Sequence, residues 1–519
     1  MRFSTSVRPE FWILIIAMML QCGSFTIAKP VSLTPLRIVV ELDVNESKVL
    51  ELSTGEKVKL TLLEINEISD DVRKAIRSVQ VCILVDGQEV NLAVGNYHLP
   101  VAVGKIQIDC PVFNGYYNST SRDPWKLKKD ARFRIWNAGS SFLIPETFIY
   151  PLKRKWFSDM TQMSNEPVYV SAGEKMENTE TNYHSGLDIG GADGMDEVLS
   201  ATNGIIVSVG DEVLEKYIHL FPGLLDKNSA MLYPRNPRYD VVYVLDERNW
   251  LIRYTHLDRI DPALEPGDEI KMGQQIGILG KEGSSGGWSH LHFEMFSYDS
   301  TSGEWGCEEA YAYLWEAYMN QFKPAVIAVA RPHRLIWAGQ EAVLDGSRSE
   351  CMVGSIASYE WSFSDGNSSE GPIQHRVYEK PGEYSEILKV QDSEGNVDYD
   401  FAVVLVFDRE NPEKKIPFIH ASYYPTRGIR PGDPITFLVR TFNATEGKEV
   451  WDFGDGSPLA SVQSESITEE NKISGEYAIV QHVYVREGQY IAKVERTNEH
   501  GYKAVVHLEV EVRLNDDGD

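Results

Sequence analysis

The sequence predicts a mainly β protein of several domains, built from antiparallel sheets and ending in two small β-sandwiches. Three observations carry this. Apolar and polar residues alternate with a period of two in short runs, as in 36–42, 57–63 and 81–85, and Asp-Gly and Thr-Gly turns bound the runs. A block containing a tryptophan and an Asp-Gly turn occurs twice in the last 200 residues. At 519 residues the chain is also too long for one core, so three or four domains are expected.

Composition narrows the function. A hydrophobic share of 42% is that of an ordinary globular protein and argues against wholesale disorder. The net charge of −27 argues against nucleic acid as a partner, because a polyanion would be repelled.

Residues 1–28 read as a signal peptide. Arg2 and Arg8 give a positive start, 11–20 an apolar run, and Thr26-Ile27-Ala28 a small-x-small cleavage site. Ten apolar residues are too few to span a bilayer, so the mature chain is expected to be exported without a stable membrane span. Of the five cysteines, Cys22 leaves with the leader. The even remainder, Cys82, Cys110, Cys307 and Cys351, permits disulfides in an exported chain. Cys82 with Cys110 is the more natural pair, and buried free thiols are the alternative.

Residues 31–150 form a first β unit without a motif that carries chemistry, an accessory domain by this reading. A short helix is expected over 69–79, capped by Ser69 or Asp70. A bridge, 151–181, leads into the next unit, 151–324. Within that unit 209–241 is an insertion longer than a hairpin needs, the kind of loop that lines a site. Near its end 308–322 has helical character, with an aromatic stripe expected to pack as core and Pro324 as the stop.

The chemistry gathers around Gly286-Gly287-Trp288-Ser289-His290-Leu291-His292-Phe293-Glu294-Met295. If Leu291, Phe293 and Met295 face a core, alternation sends His290 and His292 together to the other face. Upstream, His184 and Asp188 share one face of an extended run, with Leu187 and Ile189 opposite. Histidine, aspartate and histidine are a sensible set for a catalytic zinc, since three protein ligands leave the fourth position for water. A third histidine, His256, ends an alternating run in which it shares a face with Tyr254 and Ile252. Glu294 falls on the histidine side. There it either supports a ligand or, as this reading prefers, is an ordinary polar residue at a strand end. The glycine pairs Gly190-Gly191 and Gly286-Gly287 would let an extended peptide approach the backbone.

In order along the chain, His184-x-x-x-Asp188, Tyr254-Thr255-His256-Leu257 and His290-Leu291-His292 resemble the lysostaphin- or LytM-type zinc metalloendopeptidases, the M23 peptidases. The runs 201–210 and 266–277 are similar to that family's two β-hairpin signatures, and the likeness covers a core of 181–296. The resemblance implies Zn2+ held by His184, Asp188 and His292. It also implies His256 and His290 as the catalytic pair beside the metal-bound water. Two places depart from the family pattern: Trp288-Ser289, where many members carry a small residue and proline, and 195–199, which replaces a Gly-x-Pro-Val-x-Ala-like run. No ligand position is missing.

Beyond Pro324, 359–366 is echoed by 450–456, with Trp361 and Trp451 standing 90 residues apart. Each is followed by a Tyr-x-x-x-Gly-x-Tyr block. Repeats of this length are whole domains. Both units, 325–410 and 416–513, resemble PKD domains, immunoglobulin-like modules of exported proteins that bind surface polymers or proteins. Asp365 and Asp455, each before a turn glycine, read as turn chemistry.

The expected function is therefore an exported zinc endopeptidase acting on peptidoglycan cross-bridges or stem peptides. Two alternatives stand beside it: a catalytically silent wall- or glycan-binding module, and a zinc protease acting on proteins.

Overall fold

The computed structural model describes residues 33–95, 97–117, 124–161, 167–169, 181–221, 225, 237–299 and 303–514. The expected leader and the middle of the 209–241 insertion lie outside these residues. Among the described residues no helix is long and apolar enough to cross a membrane.

The N-terminal unit is two four-stranded antiparallel sheets around one core. One sheet runs Ile38–Leu42, Ala131–Asn137, Ile106–Phe113, Val101–Val103. The other runs Ser47–Glu51, Lys57–Ser69, Ile76–Val85, Gln88–Ala93. The helix expected over 69–79 is not formed. Lys57–Ser69 and Ile76–Val85 pair from Leu60↔Val85 to Ser69↔Ile76, and the polar run between them is a turn in which the Asp70 carboxylate accepts the Arg73 amide. Val79, Val81 and Ile83 are all buried, so the pattern there has period two and the sheet wins.

The disulfide expected between Cys82 and Cys110 is also absent: Cys82, Cys110, Cys307 and Cys351 are free thiols. Cys82 alternates with the buried Val81 and Ile83 and so faces outward, whereas Cys110 points into the core. The two sulfurs leave their sheets on different sides.

The central unit is an eight-stranded antiparallel sheet, with the order Leu187–Gly190, His290–Asp299, Leu251–Thr255, Val242–Asp246, Gly204–Val209, Glu212–Val213 along its spine. One face buries Leu187, Ile189, Leu291, Phe293, Met295, Ile252 and Tyr254 in a large core. The helix Tyr311–Phe322 closes that core with Tyr311, Tyr313, Trp315 and Tyr318, and it ends at Lys323 in a left-handed conformation. Residues 151–161, expected as a bridge, are part of the same core. Leu152, Trp156 and Phe157 are buried in it, and Arg154 pairs with Asp196 at 2.7 Å.

The opposite face is divided. Tyr243, Leu251 and Phe296 on it share a core with the N-terminal unit, and the rest carries the histidines. Tyr183, next to His184, is drawn into that shared core. Its ring stacks on Tyr116 at 4.5 Å and its hydroxyl accepts the Ile76 amide at 2.8 Å.

The C-terminal part holds two β-sandwiches with fully buried Trp361 and Trp451 at corresponding places. Their sheets join edge to edge. Gly382–Asp392 of the first pairs in parallel with Lys503–Val512 of the second through Gly382↔Lys503 and Glu383↔Ala504, making one nine-stranded sheet. A Cβ on Gly382 would lie 2.4 Å from the Lys503 carbonyl oxygen, so the junction requires glycine. Asp365 accepts the Asn367 amide and Asp455 the Ser457 amide, the turn chemistry expected of both.

Candidate metal centre and active site

Antiparallel pairing brings the two distant motifs together. Leu187–Gly190 lies beside His290–Asp299 with Asp188 opposite His292 and Gly190 opposite His290. Residues directly opposite on one face have Cβ atoms about 5 Å apart, so register alone sets Asp188 against His292. His184 reaches the same point from the preceding turn. Gly186 there has φ +85°, and a Cβ on it would meet Glu294 Cγ at 2.5 Å.

The geometry is tight. Asp188 Oδ1 lies 2.8 Å from His292 Nδ1 and 3.1 Å from His184 Nε2, and the two nitrogens are 2.9 Å apart. Donors bound tetrahedrally at about 2.1 Å from zinc stand roughly 3.4 Å from one another. A shift of a few tenths of an ångström therefore opens this trio to the ion. Two imidazoles and a carboxylate are donor types that zinc takes. The other His292 nitrogen, Nε2, faces Glu294 Oε2 at 3.4 Å. A carboxylate on the far nitrogen of a ligating imidazole fixes its tautomer and raises its basicity, so the donor set and its support both fit zinc. The trio side chains keep 12–17% of their surface exposed, enough for solvent to reach them.

Glu294 is thus not the ordinary strand-end residue expected. It is buried, accepts Arg253 Nη1 at 2.7 Å and the Ser185 hydroxyl at 2.9 Å, and turns its charge toward His292. Burial pulls the His292 pKa down, but Glu294 and Asp188 outweigh it and raise it. Burial likewise pushes Asp188 up, and the imidazoles of His184 and His290 hold it well below the usual carboxylate range.

His256 and His290 stand beside the trio, with ring centres 4.7 Å apart, and His256 lies 5.9 Å from the His292 ring. The expectation that His256 shares a face with Tyr254 is overturned. Tyr254 packs on Phe293 in the core and its hydroxyl accepts the Ala201 amide. The strand ends at Thr255, and His256, at φ +69°, breaks the alternation and swings to the histidine side. Each of the two rings gives its Nδ1 to a main-chain carbonyl, His256 to Glu282 at 2.6 Å and His290 to Trp288 at 3.0 Å. A carbonyl only accepts, so Nδ1 carries the proton and Nε2 holds the lone pair. His290 Nε2 is 3.4 Å from Asp188 Oδ1. Burial lowers the pKa of His256 to about 4 and of His290 to about 3.

Sequence reading missed Asp240, which accepts the His256 amide at 3.1 Å and lies 3.5 Å from its Nδ1, held in turn by Arg238. It belongs to no motif, and only the fold brings it there. The reading of the glycine pairs also fails. A Cβ on Gly190 would lie 1.9 Å from Asp159 Oδ1, on Gly191 2.5 Å from Leu279, on Gly286 2.9 Å from the Trp288 ring, and on Gly287 2.6 Å from the Lys472 carbonyl. These glycines make room for the chain's own neighbours.

Comparison with known proteins identifies two modules in the chain. The chain is 33% identical over 109 residues to Collagenase ColA of Bacillus cereus, which covers 20% of this chain and 11% of that protein. A solved structure described as a candidate glycyl-glycine endopeptidase, lytM, from Ruminococcus gnavus is 21% identical over 33% of this chain and 60% of that one, with a TM-score of 0.20. Csd3 of Helicobacter pylori is 10% identical over 53% and 82%, also with a TM-score of 0.20. The chain thus spans less than two thirds of the length of the first two. Residues 182–302 match the family model for Peptidase family M23 and 323–406 that for the PKD domain, so the chain carries an M23 peptidase domain followed by a PKD domain.

Proposed function

We propose that the protein is an exported zinc endopeptidase that hydrolyses peptide bonds in peptidoglycan cross-bridges or stem peptides. The observation that carries this reading is the approach of donor atoms from His184, Asp188 and His292 to within 4.8 Å of one another, with two further imidazoles at their side. His184, Asp188 and His292 would hold the ion. When bound, zinc supplies a positive charge that polarises a carbonyl and lowers the pKa of a water toward neutrality.

The remaining work falls to the chain. His256 and His290 present Nε2 lone pairs, so one of them takes a proton from the attacking water as its oxygen bonds to the peptide carbon. The same proton passes to the amide nitrogen as the C–N bond breaks. The partner imidazole hydrogen-bonds the carbonyl oxygen as charge develops there. Asp240 and the Glu282 carbonyl keep His256 in the tautomer this requires. Glu294, anchored by Arg253, keeps His292 turned toward the trio.

The domain divisions we propose are 31–150, 151–324, 325–410 and 416–513, the last two being PKD-like units that serve as spacers or surface-binding modules. The test compares hydrolysis of purified peptidoglycan and of an unstructured protein, with and without a chelator. The reading expects chelator-sensitive turnover of peptidoglycan, restored by zinc. Faster turnover of the protein substrate would make it a general protease. Binding to peptidoglycan without turnover of either substrate would make it a silent wall-binding module.

A further inference from the structure

We propose that the second C-terminal sandwich is a fixed wall of the active site, and that Tyr477 and Arg440 are positioning residues that set the Gly286–Ser289 turn and through it His290. The proposal rests on the peptidase reading above.

The turn that delivers His290 is held from outside its own domain. The Tyr477 hydroxyl accepts the Ser289 amide at 2.8 Å, and Arg440 Nη1 donates to the Gly287 carbonyl at 2.5 Å. Arg440 also donates to the Lys472 carbonyl at 3.0 Å, so one guanidinium ties the turn to the sandwich. Gly287, at φ +93°, lies so close to Lys472 that no other side chain fits between them. Trp288 packs its ring against Phe442 and Phe418 of the sandwich at 5.8 and 6.2 Å. Behind Tyr477 a chain of hydrogen bonds returns to the peptidase unit. Its hydroxyl meets His420 Nδ1 at 3.0 Å, and His420 Nε2 meets the Thr161 hydroxyl at 3.1 Å. Ser289, Arg440 and His420 are all almost fully buried.

Beside the turn, Met195 packs with Ala192 against Leu438 and Tyr477. The His290 ring is oriented through the Trp288 carbonyl, 3.0 Å from Nδ1, so a turn released from the sandwich releases that ring. Misplacement by about 1 Å near the chemistry costs up to roughly a hundredfold in rate.

The test uses the full chain with peptidoglycan as substrate and compares wild type with Tyr477→Phe, which keeps the ring and removes the hydroxyl, and with Arg440→Lys. The first readout is hydrogen exchange at the Ser289 amide, which needs no substrate. The proposal expects slow exchange in wild type, faster exchange by about tenfold or more in Tyr477→Phe, and a kcat lowered roughly tenfold or more. KM should stay within about twofold, zinc content unchanged, and Arg440→Lys should fall between the two. Fast exchange with unchanged kcat would overturn the proposal and leave the peptidase reading intact. A raised kcat would overturn it in favour of an inhibitory contact. A wild-type chain with slow exchange at Ser289 but no turnover would instead defeat the peptidase reading, and the proposal with it.

Discussion

The five residues of the site divide into two neighbourhoods with opposite electrostatics, although four of the five are histidines. Around His184, Asp188 and His292 the partners are carboxylates, and Glu294 and Asp188 raise the His292 pKa. Around His256 and His290 the nearest acceptors are main-chain carbonyls, and although Asp240 and Asp188 stand 3.5 and 3.4 Å away, burial outweighs them and both imidazoles are held neutral far below pH 7. One side is built to hold positive charge and the other to offer a lone pair. The same side chain does either job according to what its second nitrogen meets.

The way to break this comparison with the largest effect is to remove a trio member. Asp188→Ala or His292→Ala should abolish zinc retention and reduce kcat by at least roughly a thousandfold, read by metal analysis and hydrolysis of peptidoglycan. Next come the neutral imidazoles: His256→Ala and His290→Ala should lower kcat by roughly 10²- to 10⁴-fold with zinc content unchanged. Loss of zinc from either variant would merge the two neighbourhoods. A smaller effect sharpens the carboxylate side. Glu294→Gln should weaken zinc affinity by about 10- to 100-fold, measured by competition with a chelator, since the charge facing His292 Nε2 is lost.

The smallest effect is a pH dependence of stability. His420 is buried with two uncharged hydroxyls as hydrogen-bond partners, and burial holds its pKa at about 4 against 6.5 in an unfolded chain, with Asp159 opposing and Arg440 and Arg154 adding to the shift. Between those values the unfolded chain binds a proton that the folded chain does not. Stability is therefore full above pH 6.5 and falls as pH drops toward 4, by at most about 1.4 kcal/mol per pH unit for this group. Urea midpoints from pH 7.5 to 5 should slope less in His420→Gln than in wild type.

How much of this the sequence discloses follows from the range of the interactions. Asp188, His290 and His292 were legible because strand alternation places them; His184 was named four residues before Asp188, but it reaches the trio through the turn at Gly186 and not along one face of an extended run. His256 was named, but its direction was not, because a left-handed residue after a strand end resets the alternation. Glu294 lay in the right place and was undervalued, since its partner Arg253 comes from a neighbouring strand. Asp240 and the Tyr477–Ser289 contact, the latter spanning 188 residues, depend on tertiary packing that no local pattern encodes. The 69–79 stretch failed for the same reason: its polar turn looked like a helix start until the partner strand was in place.

The central claim is that His184, Asp188 and His292 grip one zinc ion while His256 and His290 do not. Equilibrium dialysis of the full chain against zinc, followed by metal analysis, tests it most directly. The account predicts about one tightly held zinc per chain in wild type and in His290→Ala, and none in His292→Ala. Zinc retained by His292→Ala, or none held by the wild-type chain, would contradict it.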